Sequence, residues 1–241
     1  MSRRFLWEIH HEHLFLRVMR LICDRKFIDQ TITAILLLLL TGCGGKSAKQ
    51  AVMQEIRREN NPVNYQVIDS SIHLVKDGDL VLRTGADATS YMLRQMNQTN
   101  RTYSHCGIVM IEHGYPFVYH SIGGEDNPDA KLRRDSIAFF FSPVSNERFG
   151  IARLDMTAPQ VLKLHHIVCR YYQQAIPFDM SFNIFTDDKF YCAEFVYKSI
   201  KEATADTAYF PITRIANKIY VGVDNLYDQR HAKIICDVRF K

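Results

Sequence analysis

The sequence predicts an α+β domain, because two kinds of segment alternate along it. Short apolar runs such as Leu80 to Leu82 and Gly107 to Ile111 suit buried strands. Longer stretches place apolar residues at helical spacing, as Val161, Leu162, Leu164, Ile167, Val168 and Tyr171 do within Pro159 to Gln174. Taken in order, a polar helical stretch from Ala51 to Glu59 precedes Pro62. A strand begins at Leu80 after the turn chemistry of Lys76-Asp77-Gly78-Asp79, and a helix covers Ala88 to Met96. Strands follow at Gly107 to Ile111 and Phe117 to His120, then a polar loop over Asp126 to Arg134 and a strand over Gly150 to Leu154. Pro159 suits the first turn of the next helix, where a proline forfeits no hydrogen bond. Pro177-Phe178-Asp179 leads through a loop to a helix that opens near Tyr191, and the tail Lys233 to Val238 adds an edge strand.

Two of these elements carry chemistry. Cys192 falls in the opening turn of a helix whose apolar positions include Phe195, Val196 and Ile200, with Glu194, Lys198, Lys201 and Glu202 mostly elsewhere. The unpaired N–H groups and positive dipole end of such a helix favour a thiolate, the form that attacks carbonyls. His105 stands at the mouth of the Gly107 to Ile111 strand, where an imidazole can take the thiol proton and return it to a leaving group. Cysteine on one helix is more often core packing, and one histidine by a strand is more often a satisfied polar group. Together the two make the hardware of a thiol nucleophile and its base. Cys106 alternates with His105 and is expected to point the other way.

The order of motifs GDLVLRTG (Gly78 to Gly85), YSHCGIVM, FVYHSIGG (Phe117 to Gly124), PFDMSFN (Pro177 to Asn183), FYCAEFVYKSI and DNLY (Asp224 to Tyr227) resembles the YiiX/YaeF-like proteins. These are circularly permuted relatives of the NlpC-type cell-wall endopeptidases within the papain-like superfamily, and the resemblance spans about Ile72 to Tyr227. It implies a permuted papain-like fold: an antiparallel sheet packed against helices, the nucleophile at a helix N-terminus and the histidine strand first, as His105 precedes Cys192. It implies Cys192 as nucleophile, His105 as general base and, at the third position that orients the imidazole, His120. Many such relatives carry a carboxylate near that position, which makes Glu125 the alternative. A histidine there is similar to the lecithin retinol acyltransferase group, which pairs two histidines with a later cysteine. Tyr191 either aims its hydroxyl at substrate or anchors the helix start. Asp79 either faces the site or closes its turn.

The other end of the chain concerns location. Thr31 to Leu40 is too short for a membrane span but suits a signal-peptide core. Leu40-Thr41-Gly42-Cys43 resembles the bacterial lipobox, which implies acylation of Cys43 after cleavage and anchoring at the cell envelope. Met19 would give a more ordinary leader than Met1. The expected organisation is a signal peptide over 1–42, a lipidated tether with a short helical segment over 43–70, and the hydrolase domain over 71–241. Gly45-Lys46-Ser47 is no phosphate loop, since Leu40 stands where the first glycine belongs. His10, His11 and His13 lack zinc-protease spacing and precede the cleavage point.

Removal of 1–42 takes six Lys or Arg and four Asp or Glu from a chain of 241 residues with net charge +4, leaving 199 residues at +2. That length forms one core, and that charge argues against a nucleic-acid partner. Cys106, Cys169, Cys192 and Cys236 show no close metal-type spacing, and a disulfide among Cys106, Cys169 and Cys236 is left open. The chemistry requires no metal or cofactor. The expected activity is hydrolysis of an amide bond, on cell-wall peptides or other envelope molecules, through an acyl-enzyme. The alternatives are acyl transfer or lipid and thioester hydrolysis, and a non-catalytic lipoprotein binding module. A long apolar groove would favour lipid, and a polar cleft with cationic or carboxylate partners would favour peptide.

Overall fold

A computed structural model describes residues 48–241 apart from 124–126, 128 and 217. The leader, Cys43 and Glu125 lie outside the described residues. Among those residues no helix is long and apolar enough to cross a membrane. The chain falls into two units, Met1–Val52 and Met53–Lys241, and the second holds everything that follows except the opening residues 48–52 of the first helix.

Helices α1 (Ala48–Glu59) and α2 (Pro62–Ile72) come first, Asn61 capping α2 by accepting the Val63 N–H at 3.1 Å. Six antiparallel strands follow: β1 (Leu80–Gly85), β2 (His105–Glu112), β3 (Tyr115–His120), β4 (Arg133–Ser136), β5 (Asn146–Leu154) and β8 (Ala232–Arg239), in the sheet order β4-β3-β2-β1-β5-β8. Between them lie α3 (Ala88–Arg94), α4 (Ile137–Phe141), α5 (Ala158–Gln173), α6 (Cys192–Thr204), a hairpin of β6 (Thr213–Ile215) and β7 (Lys218–Tyr220), and α7 (Asp224–Tyr227).

Strand alternation gives the sheet two apolar faces. Leu80, Leu82, Cys106, Ile108, Met110 and Tyr119 share a buried cluster with Leu164 and Ile167 of α5 and with Phe195, Val196 and Ile200 of α6. Val81, Val109, Val118, Phe149 and Ile151 share the other with Ile68 of α2 and Ile137, Phe140 and Phe141 of α4. Ile68 thus ties α2 to the folded unit, and Asn64 reinforces this by accepting the Lys241 N–H at 3.0 Å. The β2–β3 hairpin turns through His113 (φ 51°) and Gly114 (φ 84°), the two-residue form that demands left-handed backbone.

Most elements fall where the sequence placed them. Strand β4 does not: Arg133-Arg134-Asp135-Ser136, straddling the end of the expected polar loop, pairs with β3 as an edge strand. An edge strand without apolar alternation leaves no periodic signal. Its recovery matters, because it carries a site residue.

Candidate active site

His105 opens β2 and His120 closes β3. In the antiparallel register Ile108 faces Tyr119, which sets His120 opposite Gly107 and His105 two residues further along the same face. A Cβ at Gly107 would come within 2.6 Å of Val118 Cγ1, 2.9 Å of the Tyr119 oxygen and 3.1 Å of His120 Cβ. Glycine therefore lets the strands close, and His105 Nε2 meets His120 Nδ1 at 2.9 Å. His120 Nε2 in turn lies 2.9 Å from Asp135 Oδ2. Asp135 reaches this place because it pairs opposite Val118 and so shares the face of His120. Arg133 Nη2 holds the other Asp135 oxygen at 2.9 Å.

This chain assigns the protons. Burial and the Asp135 bond oppose one another at His120, and burial dominates, so its pKa lies below the ordinary value. His105 is driven well below by burial, then by the charge of Arg83, by its repulsion with His120 were both rings protonated, and by the charge of Arg133. Both rings are therefore neutral at pH 7. Burial would raise Asp135, but the bonds from His120 and Arg133 outweigh it and keep the carboxylate ionised. An ionised carboxylate only accepts, so the His120 proton sits on Nε2 and Nδ1 is the acceptor. His105 must then carry its proton on Nε2, which leaves Nδ1 as a free base.

Cys192 is the first residue of α6, buried at 7 % exposure. Its thiol pKa is lowered by the Cys106 thiol bonded to it, against the cost of burial, and further by the N–H groups of Ala193 and Cys106 and by Arg83. Cys106 is pushed the opposite way, by burial and then by the same bond. Cys106 points away from His105 into the buried cluster that also holds Cys192, and no hydrogen bond joins Cys192 to His105. All four cysteines among the described residues are free.

The remaining expected residues are placed otherwise. Tyr191 is buried, caps α6, and its hydroxyl accepts the Val221 N–H at 2.8 Å, so it anchors the helix start. Asp79 closes its turn on the Lys76 N–H at 2.8 Å and takes both arms of Arg153, at 3.0 and 2.8 Å. It precedes Leu80, at the end of β1 remote from the Arg83–His105 pair, and both its oxygens are engaged in closing the turn and holding Arg153. Glu194 is no solvent-facing residue: it is fully buried, accepts the Tyr191 N–H at 3.3 Å, and lies 3.0 Å from Lys198. Burial pushes its carboxyl up to about 7 despite the Lys198 charge.

Asp135, Arg83 and the Cys106 contact are absent from the sequence reading. Only Asp135 left a trace, as the one carboxylate in a tetrapeptide that a six-residue strand such as β3 can pair with. A recess beside Cys192 is lined by Leu93, Met96, Phe182, Tyr191 and Val221. Met96 and Phe182 also line a cavity of about 620 Å³ that reaches Met180 and Phe185.

No family model matches the sequence, and no curated protein matches it. Among solved structures the chain resembles the metalloprotein YiiX from Escherichia coli O157:H7, with a TM-score of 0.56 and 17% identity, over 68% of this chain and 98% of that one. The likeness establishes a YiiX-like α+β fold. The word metalloprotein describes that neighbour. Here the imidazoles of His105 and His120 bond each other instead of converging on a point, and among the described residues no group of three or more His, Cys, Asp or Glu is arranged to hold an ion. The donor set does not fit a resident metal.

Proposed function

We propose that this protein is a thiol hydrolase that cleaves amide bonds through an acyl-enzyme on Cys192, with a permuted papain-like arrangement of its site. The observation that carries the reading is the relay His105–His120–Asp135, which leaves His105 Nδ1 as a free base at the mouth of β2. The Cys192 thiol, lowered by Cys106 and by the Ala193 N–H, supplies the nucleophile. His105 Nδ1 takes the thiol proton, and the sulfur attacks the carbonyl carbon to give a tetrahedral oxyanion. Backbone N–H groups at the start of α6 stabilise that charge. His105 then protonates the leaving amine as the C–N bond breaks. Water, deprotonated by the same nitrogen, attacks the thioester and releases the acid and the thiol. The step requires His105 and Cys192 to close to hydrogen-bond distance in the substrate complex.

The proposed setting is the bacterial envelope, with acylated Cys43 as anchor and cell-wall peptides or other amide-linked envelope molecules as substrates. A second reading, hydrolysis or transfer of long acyl groups, is favoured by the apolar recess at Cys192 that adjoins the Met96–Phe182 cavity.

The test is the pH dependence of iodoacetamide labelling at Cys192 in the full chain, read peptide by peptide, for wild type, Cys192→Ala and His105→Ala. Rapid labelling below pH 7 that His105→Ala slows is the expected result. Labelling with the pH profile of an ordinary thiol would leave a non-catalytic binding module in its place. Peptidoglycan fragments and acyl thioesters then separate the two substrate readings.

A further inference from the structure

Arg83 stands beside His105 with part of its guanidinium unused. The two residues face each other across the β1–β2 pair, so their side chains share one face. The Arg83 guanidinium carbon lies 5.2 Å from the centre of the Phe140 ring, which also packs His105 at 5.7 Å and His120 at 5.1 Å. The three basic side chains thus converge on one ring. Nη1 of Arg83 donates to Asn146 Oδ1 at 2.8 Å, its one hydrogen bond among the described residues. Its Nε–H is buried without an acceptor, and no described carboxylate forms an ion pair with it. The nearby carboxylates are committed elsewhere: Asp87 to the Ser90 N–H and hydroxyl at 2.8 and 2.7 Å, Asp135 to His120 and Arg133.

A guanidinium withdrawn from water without a counter-ion is costly. Next to the proposed base, that unsatisfied charge favours an anion that arrives with the substrate. We infer that Arg83 binds a carboxylate of the substrate beside the bond that Cys192 attacks. The N–H groups left over decide the class of anion. With Nη1 engaged by Asn146, Nε and Nη2 form the edge of the fork whose two parallel N–H bonds match the two oxygens of one carboxylate. The same positive charge lowers both the Cys192 thiol and the His105 imidazole, as expected of a group close to both. The assignment rests on Cys192 as nucleophile and narrows its substrates to amides with a carboxylate near the scissile bond.

The experiment compares iodoacetate, which carries a carboxylate, with neutral iodoacetamide. In each case the Cys192 thiolate forms a C–S bond and iodide departs with the C–I electron pair. Rates at the Cys192 peptide of the full chain are normalised to those of N-acetylcysteine, and the readout is the ratio of the two reagents. Wild type is expected to favour iodoacetate by roughly tenfold, the weight of one charge-assisted contact. Arg83→Gln should abolish that preference, and Arg83→Lys, with the charge but not the fork, should keep only part of it. A wild-type ratio equal to that of N-acetylcysteine, or an Arg83→Gln change that slows both reagents alike, overturns the inference and leaves the nucleophile standing. Slow reaction with iodoacetamide in wild type instead overturns the nucleophile itself, and the Arg83 assignment with it.

Discussion

Asp135→Asn is expected to disable the base without removing any atom from the imidazoles. In wild type, one Asp135 oxygen accepts from His120 Nε2 at 2.9 Å and the other from Arg133 Nη2 at 2.9 Å. Asparagine offers one acceptor and one donor. Arg133 has only donors, so the amide oxygen turns to Arg133 and the NH₂ group turns to His120. His120 must then accept at Nε2 and carry its proton on Nδ1. That proton points at His105 Nε2, which becomes an acceptor, and the His105 proton moves to Nδ1. The free base disappears. General-base catalysis contributes roughly 10²- to 10⁴-fold, so turnover should fall by that factor, or about 3 to 5 kcal/mol of barrier. Arg133→Ala supplies the internal control: without the guanidinium the asparagine is free to face its oxygen to His120. The double variant Arg133→Ala/Asp135→Asn should therefore be faster than Asp135→Asn alone. Single-turnover acylation with an activated amide, alongside iodoacetamide rates, measures each variant. An Asp135→Asn rate within about threefold of wild type, a barrier change below 1 kcal/mol, or a double variant no faster than the single, would refute the tautomer argument.

Asp79→Asn removes half of a buried ion pair with Arg153 and should destabilise the fold by about 1–3 kcal/mol in urea unfolding; iodoacetamide labelling of Cys192 should stay unchanged, whereas a substrate role would show as a raised KM. Gly107→Ala places a methyl group within 2.6 Å of Val118 Cγ1 and should part β2 from β3. The expected cost is about 1–3 kcal/mol of stability together with a loss of turnover larger than that of a distant variant of equal stability. Stability should also fall with pH below the unfolded histidine value of 6.5, because unfolded chains bind protons that buried His105 and His120 refuse. Each contributes up to about 1.4 kcal/mol per pH unit. Glu194, raised from 4.5 to about 7, works against them by holding its proton in the folded state between those values, so stability from this group falls as pH rises through that window. Glu194→Gln should accordingly steepen the dependence between pH 4.5 and 6.5, and chemical unfolding across that range would detect a slope that fails to change.

The legible part of the site was the part carried by local pattern. Helical spacing after Cys192 and the apolar run after His105 are properties of a few consecutive residues, and both elements form where they were expected. Glu194 stands off the apolar positions of its helix by spacing, yet its place in the first turn of α6 buries it against Tyr191 and Lys198. Asp79 and Tyr191 each allowed a structural role and a substrate-facing one, and the partners of the structural role, Arg153 and Val221, are visible only in the tertiary structure.

By itself the sequence determined the α+β class, the helix that opens at Cys192 and the order of histidine before cysteine, since periodicity and chain order require no knowledge of what packs where. The relay through Asp135, the unpaired guanidinium of Arg83 and the Cys106–Cys192 contact were decided by tertiary structure alone. Each depends on strand register or on the seating of a helix against a sheet, and register is set by backbone pairing between segments far apart in the chain. A one-residue slip of β4 against β3 would carry Asp135 to the opposite face and leave His120 without its carboxylate.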